Sequence, residues 1–169
     1  MNIKGNAVVL TNGKFDSKSA KTAHGLIRGS SRFNIVAVID SSFSEKYVHV
    51  DKNGKIDLLD SVSNIPIFKD FNCFLQSSSK VDYCIIGVAS AGGLLPDEMR
   101  DDIKLSLTNG ISIINGLHSI LNEDEELIEI SNQSNSKIFD IRASRPRNEL
   151  SFWSGKIYDV KVPKIVVLG

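Results

Sequence analysis

YCIIGV, residues 83–88, is a near-continuous apolar run rich in β-branched residues. A run this short that does not alternate with polar residues belongs to a strand buried on both faces. The same signature recurs at 7–10, 35–39, 111–114, 138–141 and 165–168. Helical segments separate most of these runs. Residues 17–28 place Ala20, Ala23, Leu26 and Ile27 on one stripe, with Asp16 as N-cap and Gly29 just past the end. Asp70 caps a short helix that turns Phe71, Phe74 and Leu75 inward. Pro96 opens the first turn of a helix over 97–108, which Asn109 and Gly110 terminate. Asn122 and Glu125 have the spacing of a capping box ahead of Leu127, Ile128 and Ile130.

Strand, helix and strand in repetition predict an α/β fold, a doubly wound and mostly parallel sheet with helices on both faces and right-handed crossovers. Residues 44–63 are polar, contain DKNGK and interrupt the alternation, so they read as a surface excursion or hairpin before a short strand at 65–68. Residues 143–160, which hold Trp153, read as an irregular connection.

At 169 residues the chain is one ordinary domain, able to bury most of what its unfolded form exposes. Its 20 Lys and Arg balance 20 Asp and Glu, which disfavours nucleic acid or an anionic membrane as partner. No apolar run approaches the ~18 residues of a membrane span, and the start lacks the apolar region of a signal peptide. A cytoplasmic protein is therefore expected. Cys73 and Cys84 lie in apolar surroundings without CxxC spacing and are expected as reduced core residues.

Open α/β sheets bind ligands at the carboxyl ends of their strands, so the loops after the strands hold the candidates. The first, TNGKFDSKSAKT, offers Gly13 for a tight turn and a helix start for an anion. It is not a P-loop, because Phe15 and Ala20 stand where glycines would be needed, and Lys21-Thr22 only imitates the ending. Lys21 on a solvated helical face is the plain alternative. Asp40 ends the second strand, where a Rossmann fold holds a ribose hydroxyl, though a turn-forming cap fits it equally. In GVASAGGLLP residues 89–93 are all small, allowing close approach of backbone or ligand, though Gly92-Gly93 fits a flexible turn equally. INGLH places Asn115, Gly116 and His118 at another strand end, where a histidine acts as acid, base or anion contact, with a hydrogen-bonded structural histidine as the plain alternative. Arg142 and Arg145 form a small cationic group suited to a carboxylate or phosphate. His24 and His49 have no partner at metal-ligand spacing, and no metal is expected.

As a set, NGKFDSKSAKTAHGLIRGSSRFNIVAVID, IIGVASAGGLLPDEMR, GISIINGLHSIL, FDIRASR and the closing PKIVVLG resemble, in order, the amino-terminal Rossmann-like domain of the DgcN-like family. AKTAHGLIR and GLH are the most specific pieces, and the likeness is loosest over 41–60. The resemblance implies D-glutamate N-acetyltransferase activity with acetyl-CoA as donor and a D-amino acid as substrate. It also implies a second, P-loop NTPase-like domain, so residues 1–163 would be the first domain and 164–169 the opening strand of the next. On this reading the chain alone is incomplete for catalysis. Lys21, Thr22, His24, Asn115, His118 and Arg142 would form one wall of a site between domains, with His118 as general base and Arg142 on a substrate carboxylate. Two other readings stay open: a stand-alone module binding a nucleotide or CoA without catalysis, and an NAD-dependent oxidoreductase, which the missing GxGxxG disfavours. A sheet edge left bare would promote homo-oligomers.

Overall fold

The computed structural model describes residues 3–43, 45–60, 64–77, 79–145, 147–163 and 165. Its strands are β1 (Gly5–Leu10), β2 (Phe33–Ile39), β3 (Tyr47–Val50), β4 (Ile56–Leu59), β5 (Ile65–Phe68), β6 (Tyr83–Ile86), β7 (Ser112–Asn115) and β8 (Ile138–Asp140). Its helices are α1 (Lys21–Arg28), α2 (Phe71–Leu75), α3 (Arg100–Thr108) and α4 (Glu125–Ser134). The strands form one sheet in the order β4-β3-β5-β2-β1-β6-β7-β8. Six of them run parallel, β1 pairing with β2 and β6, β2 with β5, β6 with β7 and β7 with β8. The chain winds outward from β1 to β5 and then returns to the other side for β6 to β8. The point where the order reverses therefore lies between β1 and β6, where such sheets open a crevice.

The alternation expected of a strand covered on both sides is explicit in β1. Val8 and Leu10 face one core, which Phe71 and Phe74 of α2, Ile103 and Leu107 of α3, and Leu127 of α4 complete. Ala7 and Val9 face the other, where Ala20, Ala23 and Ile27 of α1 and its entry pack on Ile35 and Val38. The register shifts between Ala7 and Val8 where they pair with β2, so that Val36 and Ala37 both turn to the first core. Phe71, Ile103, Leu107 and Leu127 are completely buried, each contributing about 1.5–3 kcal/mol of transfer free energy. Among the described residues no helix is long and apolar enough to cross a membrane.

Several expectations shift on inspection. The polar excursion is a hairpin that joins the sheet, with β3 antiparallel to both β4 and β5 and Val48 fully buried. DKNGK is its turn, where Asp51 Oδ1 accepts from the backbone N–H of Asn53 and of Lys55, each at 2.8 Å. Ser17 rather than Asp16 caps the first helical segment. Phe15 is drawn into the core and its N–H is tied to Asp40, so the chain turns into the 3-10 segment Lys18–Ala20 one residue later than expected. Asn122 does not cap α4. Its backbone and side-chain N–H groups both go to Asp140, leaving Asp124 to accept from Leu127 N at 3.2 Å. Cys84 is a buried core residue as expected, but Cys73 is exposed, because Phe71 and Phe74 fix the inner face of α2 and leave Cys73 outside it. The expected strand at 165–168 lies outside the described residues except for Ile165.

Candidate functional site

Two aspartates of like design set the loops at the carboxyl edge. Asp40 follows β2 and reaches across to the loop after the neighbouring β1. Its Oδ2 accepts from Thr11 Oγ1 at 2.7 Å and Phe15 N at 2.9 Å, and its Oδ1 accepts from Ser42 N at 3.0 Å. The residue is fully buried, so neither oxygen reaches solvent. This is the turn-forming geometry, not that of a carboxylate presented to a ribose. Asp140 ends β8 and does the same for the loop after β7. Its Oδ1 accepts from Leu121 N and Asn115 Nδ2, its Oδ2 from Asn122 N and Nδ2. Asn115, itself buried, adds a bond from Nδ2 to Ser119 O and takes Leu117 N on its Oδ1. These bonds satisfy buried polar groups that would otherwise carry a desolvation cost. They hold Gly116–Ser119 in one conformation.

That loop carries His118. Its backbone N–H donates to Gly93 O at 2.7 Å, joined by Ser119 N at 3.2 Å, and Leu95 N donates to Ser119 Oγ at 2.9 Å. The loops after β6 and β7 are thus stitched together. The imidazole lies directly over Gly93, where a Cβ would sit 2.0 Å from His118 Cδ2. Arg142, two residues beyond the Asp140 anchor, brings its guanidinium to 2.9 Å from His118 Nε2.

The result is a cavity of about 140 Å³ walled by Thr22, Ser90, Gly93, Gly116, His118 and Arg142 over a floor of Ile86 and Val88. It lies at the carboxyl ends of β6 and β7, beside the switch point. Thr22 at the start of α1 belongs to it because α1 is sewn to the β6 loop, Ala23 N donating to Gly87 O and Ala89 N to Ser19 O, at 2.9 and 2.8 Å. Chemically the cavity offers a permanently charged guanidinium, an imidazole and hydroxyl groups around a small volume, which suits a small anion with a group to be deprotonated.

Four of the residues singled out from sequence, Thr22, Gly93, His118 and Arg142, come together there, and Asn115 supports them from beneath. The others lie elsewhere. His24 Nε2 donates to Phe15 O at 2.7 Å and its ring packs edge-on against Phe15, with centroids 5.0 Å apart. Gly13 sits beside Ser41 and Ser42 in the β1 loop, Lys21 and Arg145 are exposed, and Gly92 approaches only Leu94. Asp140 was not anticipated, whereas Ser90 and Gly116 lie in the GVASAGGLLP and INGLH stretches that the sequence marked. The available signal for Asp140 was its place as an acidic residue closing an apolar run, the position Asp40 also holds. A larger depression of about 410 Å³ between β3 and β5, lined by Lys46, Tyr47, Lys69 and Cys73, contains none of the anticipated residues. Among the described residues no group of three or more His, Cys, Asp or Glu is placed to hold a metal ion.

Comparison with known proteins agrees with this architecture. A curated D-glutamate N-acetyltransferase from Pseudoalteromonas sp. is 31% identical over 85 residues, which make up 50% of this chain and 24% of that protein. The crystal structure of a DUF1611 family protein from Anabaena variabilis superposes with a TM-score of 0.71 at 27% identity, covering 92% of this chain and 42% of that one. The chain therefore spans less than half the length of either relative. The model of a domain of unknown function, the Rossmann-like domain DUF1611_N, matches residues 51–144, more than half of the sequence, and the chain belongs to that family.

Proposed function

We propose that this chain forms one wall of an acyl-transfer site of the D-glutamate N-acetyltransferase type, with acetyl-CoA as donor and a D-amino acid as acceptor. The observation that carries this reading is the His118–Arg142 pair in a small cavity at the strand ends. Transfer of an acetyl group to an amine requires the ammonium to lose a proton before attack, and His118 is the base for that step. Arg142 takes the substrate carboxylate, for which its planar fork is suited. Thr22 and Ser90 supply hydroxyls to the same wall. The kinship to a curated N-acetyltransferase supports the choice of reaction.

A cavity of about 140 Å³ accommodates an amino acid's reacting end, not a CoA, so donor binding falls to a second body. We assign that body to a P-loop-like domain of a longer polypeptide. Leu150, Phe152, Trp153, Ile157, Tyr158 and Val162 are all more than half exposed, which fits a segment that packs on such a neighbour. Two thiols without a disulfide fit a reducing, cytoplasmic location. The test is an acetyl-CoA and D-glutamate assay of this chain beside a polypeptide continued through the region its relatives carry. Activity only in the longer form supports the reading. Inactivity of both, or full activity of the short form, overturns it.

A further inference from the structure

His118 Nε2 is the atom a base would use, and in this structure it is already occupied. Arginine has donors and no acceptor, so the 2.9 Å contact with Arg142 requires Nε2 to be the acceptor. The imidazole is then neutral, with its proton on Nδ1. The backbone beneath the ring is held by its N–H to Gly93 O, and the ring's edge lies against Gly93. Arg142 is less constrained. It is exposed, and among the described residues it has no carboxylate partner within ion-pair distance. A guanidinium bonded to one neutral nitrogen gains by exchanging it for a carboxylate, which brings the opposite charge and accepts two parallel N–H bonds from the fork.

We infer that the cavity is gated by its own ligand: a small carboxylate entering it draws Arg142 off His118 Nε2, and only then does the lone pair of His118 become available as a base. This rests on the acyl-transfer reading for the use made of that lone pair, while the exchange itself is a property of the pocket. The same cation would thus both recognise the substrate and hold the base unavailable until the substrate is seated. Molecules that bring an amine without a carboxylate would leave His118 capped.

The experiment is ¹⁵N imidazole spectroscopy of the chain, titrated with D-glutamate, with glutarate as a carboxylate lacking the amine, and with glutaramide as a neutral analogue. Its three histidines are few enough to assign individually. The ligand-free protein is expected to show His118 as the neutral Nδ1–H tautomer with a hydrogen-bonded Nε2. D-Glutamate and glutarate should shift the Nε2 signal saturably toward that of an unbonded acceptor, and glutaramide should not. R142A should show the unbonded signal without ligand and no response to any of the three. R142K, which keeps the charge but not the fork, should show a weakened version of both states. His24, whose Nε2 is tied to Phe15 O, should stay constant and reports that the domain remains folded. An Nε2 signal identical in the wild type and R142A, or unmoved by either carboxylate at its highest soluble concentration, overturns the inference. Because no acetyl transfer is measured, an exchange seen here alongside an inactive extended polypeptide would keep the gate and remove the reaction.

Discussion

Gly93 and His118 are in contact so close that a single methyl group at Gly93 would stand 2.0 Å from the imidazole Cδ2. Gly93 also holds a φ of +68°, which a side chain adopts at a cost of about 1–2 kcal/mol. G93A is therefore expected to lose that stability and to displace the ring from the cavity. G92A provides the comparison, since Gly92 shares a φ of +65° but has only Leu94 nearby, at 3.9 Å. G92A should lower the melting temperature by about 2–8 °C and G93A by more, and only G93A should move the His118 resonances.

Asp40 and Asp140 make a second matched pair. Replacing either by Ala leaves two backbone N–H groups without their acceptor and is expected to cost about 2–4 kcal/mol in denaturant unfolding. The two variants should part company at the cavity. D140A loosens the loop that carries His118 and should change its spectrum, whereas D40A acts on the β1 loop and should leave His118 unchanged. Equal effects of both on His118 would contradict this division of labour.

Asp124 caps α4 and accepts two bonds from the Arg100 guanidinium, which holds its carboxyl below the ordinary range. A carboxylate whose folded pKa is depressed contributes stability above the unfolded value of about 3.9, and that stability is lost as pH falls through the folded pKa. D124N should thus flatten the fall of stability below about pH 4. Because the pair is partly exposed, with side chains at 33% and 26%, D124A is expected to cost only about 1–2 kcal/mol at neutral pH.

The two cysteines differ in reach. Burial, reinforced by the Asp102 carboxylate, pushes the Cys84 thiol up to about 12, whereas Cys73 is exposed beside Asp70. Thiol titration with a disulfide reagent at mild alkaline pH should modify Cys73 in the native chain and both residues in denaturant. Modification of both in the native state would contradict the packing of β6 under α3.

How much of this was legible in the sequence depends on the range of the interaction. The unalternating runs mark parallel strands because burial on both faces is a local requirement, and all those within the described residues are strands of one sheet. The hairpin at Tyr47–Leu59 was among the readings of that polar stretch, but its pairing with the sheet was hidden, since an edge ribbon buries little beyond Val48. The caps at Ser17 and Asp124 were displaced by one and two residues because Phe15 and Asn122 answer to distant aspartates. Cys73 was misjudged because its neighbours are apolar but point the other way. At the site, GLH and its glycine-rich partner were visible as strand-end residues. Asp140 was not, because its role exists only once β7 and β8 lie side by side.

The most direct test is steady-state acetyl transfer to D-glutamate by the extended polypeptide with His118 and Arg142 replaced one at a time. H118Q is expected to lower kcat about 10²- to 10⁴-fold with little change in KM. R142A is expected to lose about 10- to 100-fold in kcat/KM, chiefly through KM for the amino acid. An H118Q enzyme that keeps the wild-type kcat would contradict the assignment of this cavity as the acyl-transfer site.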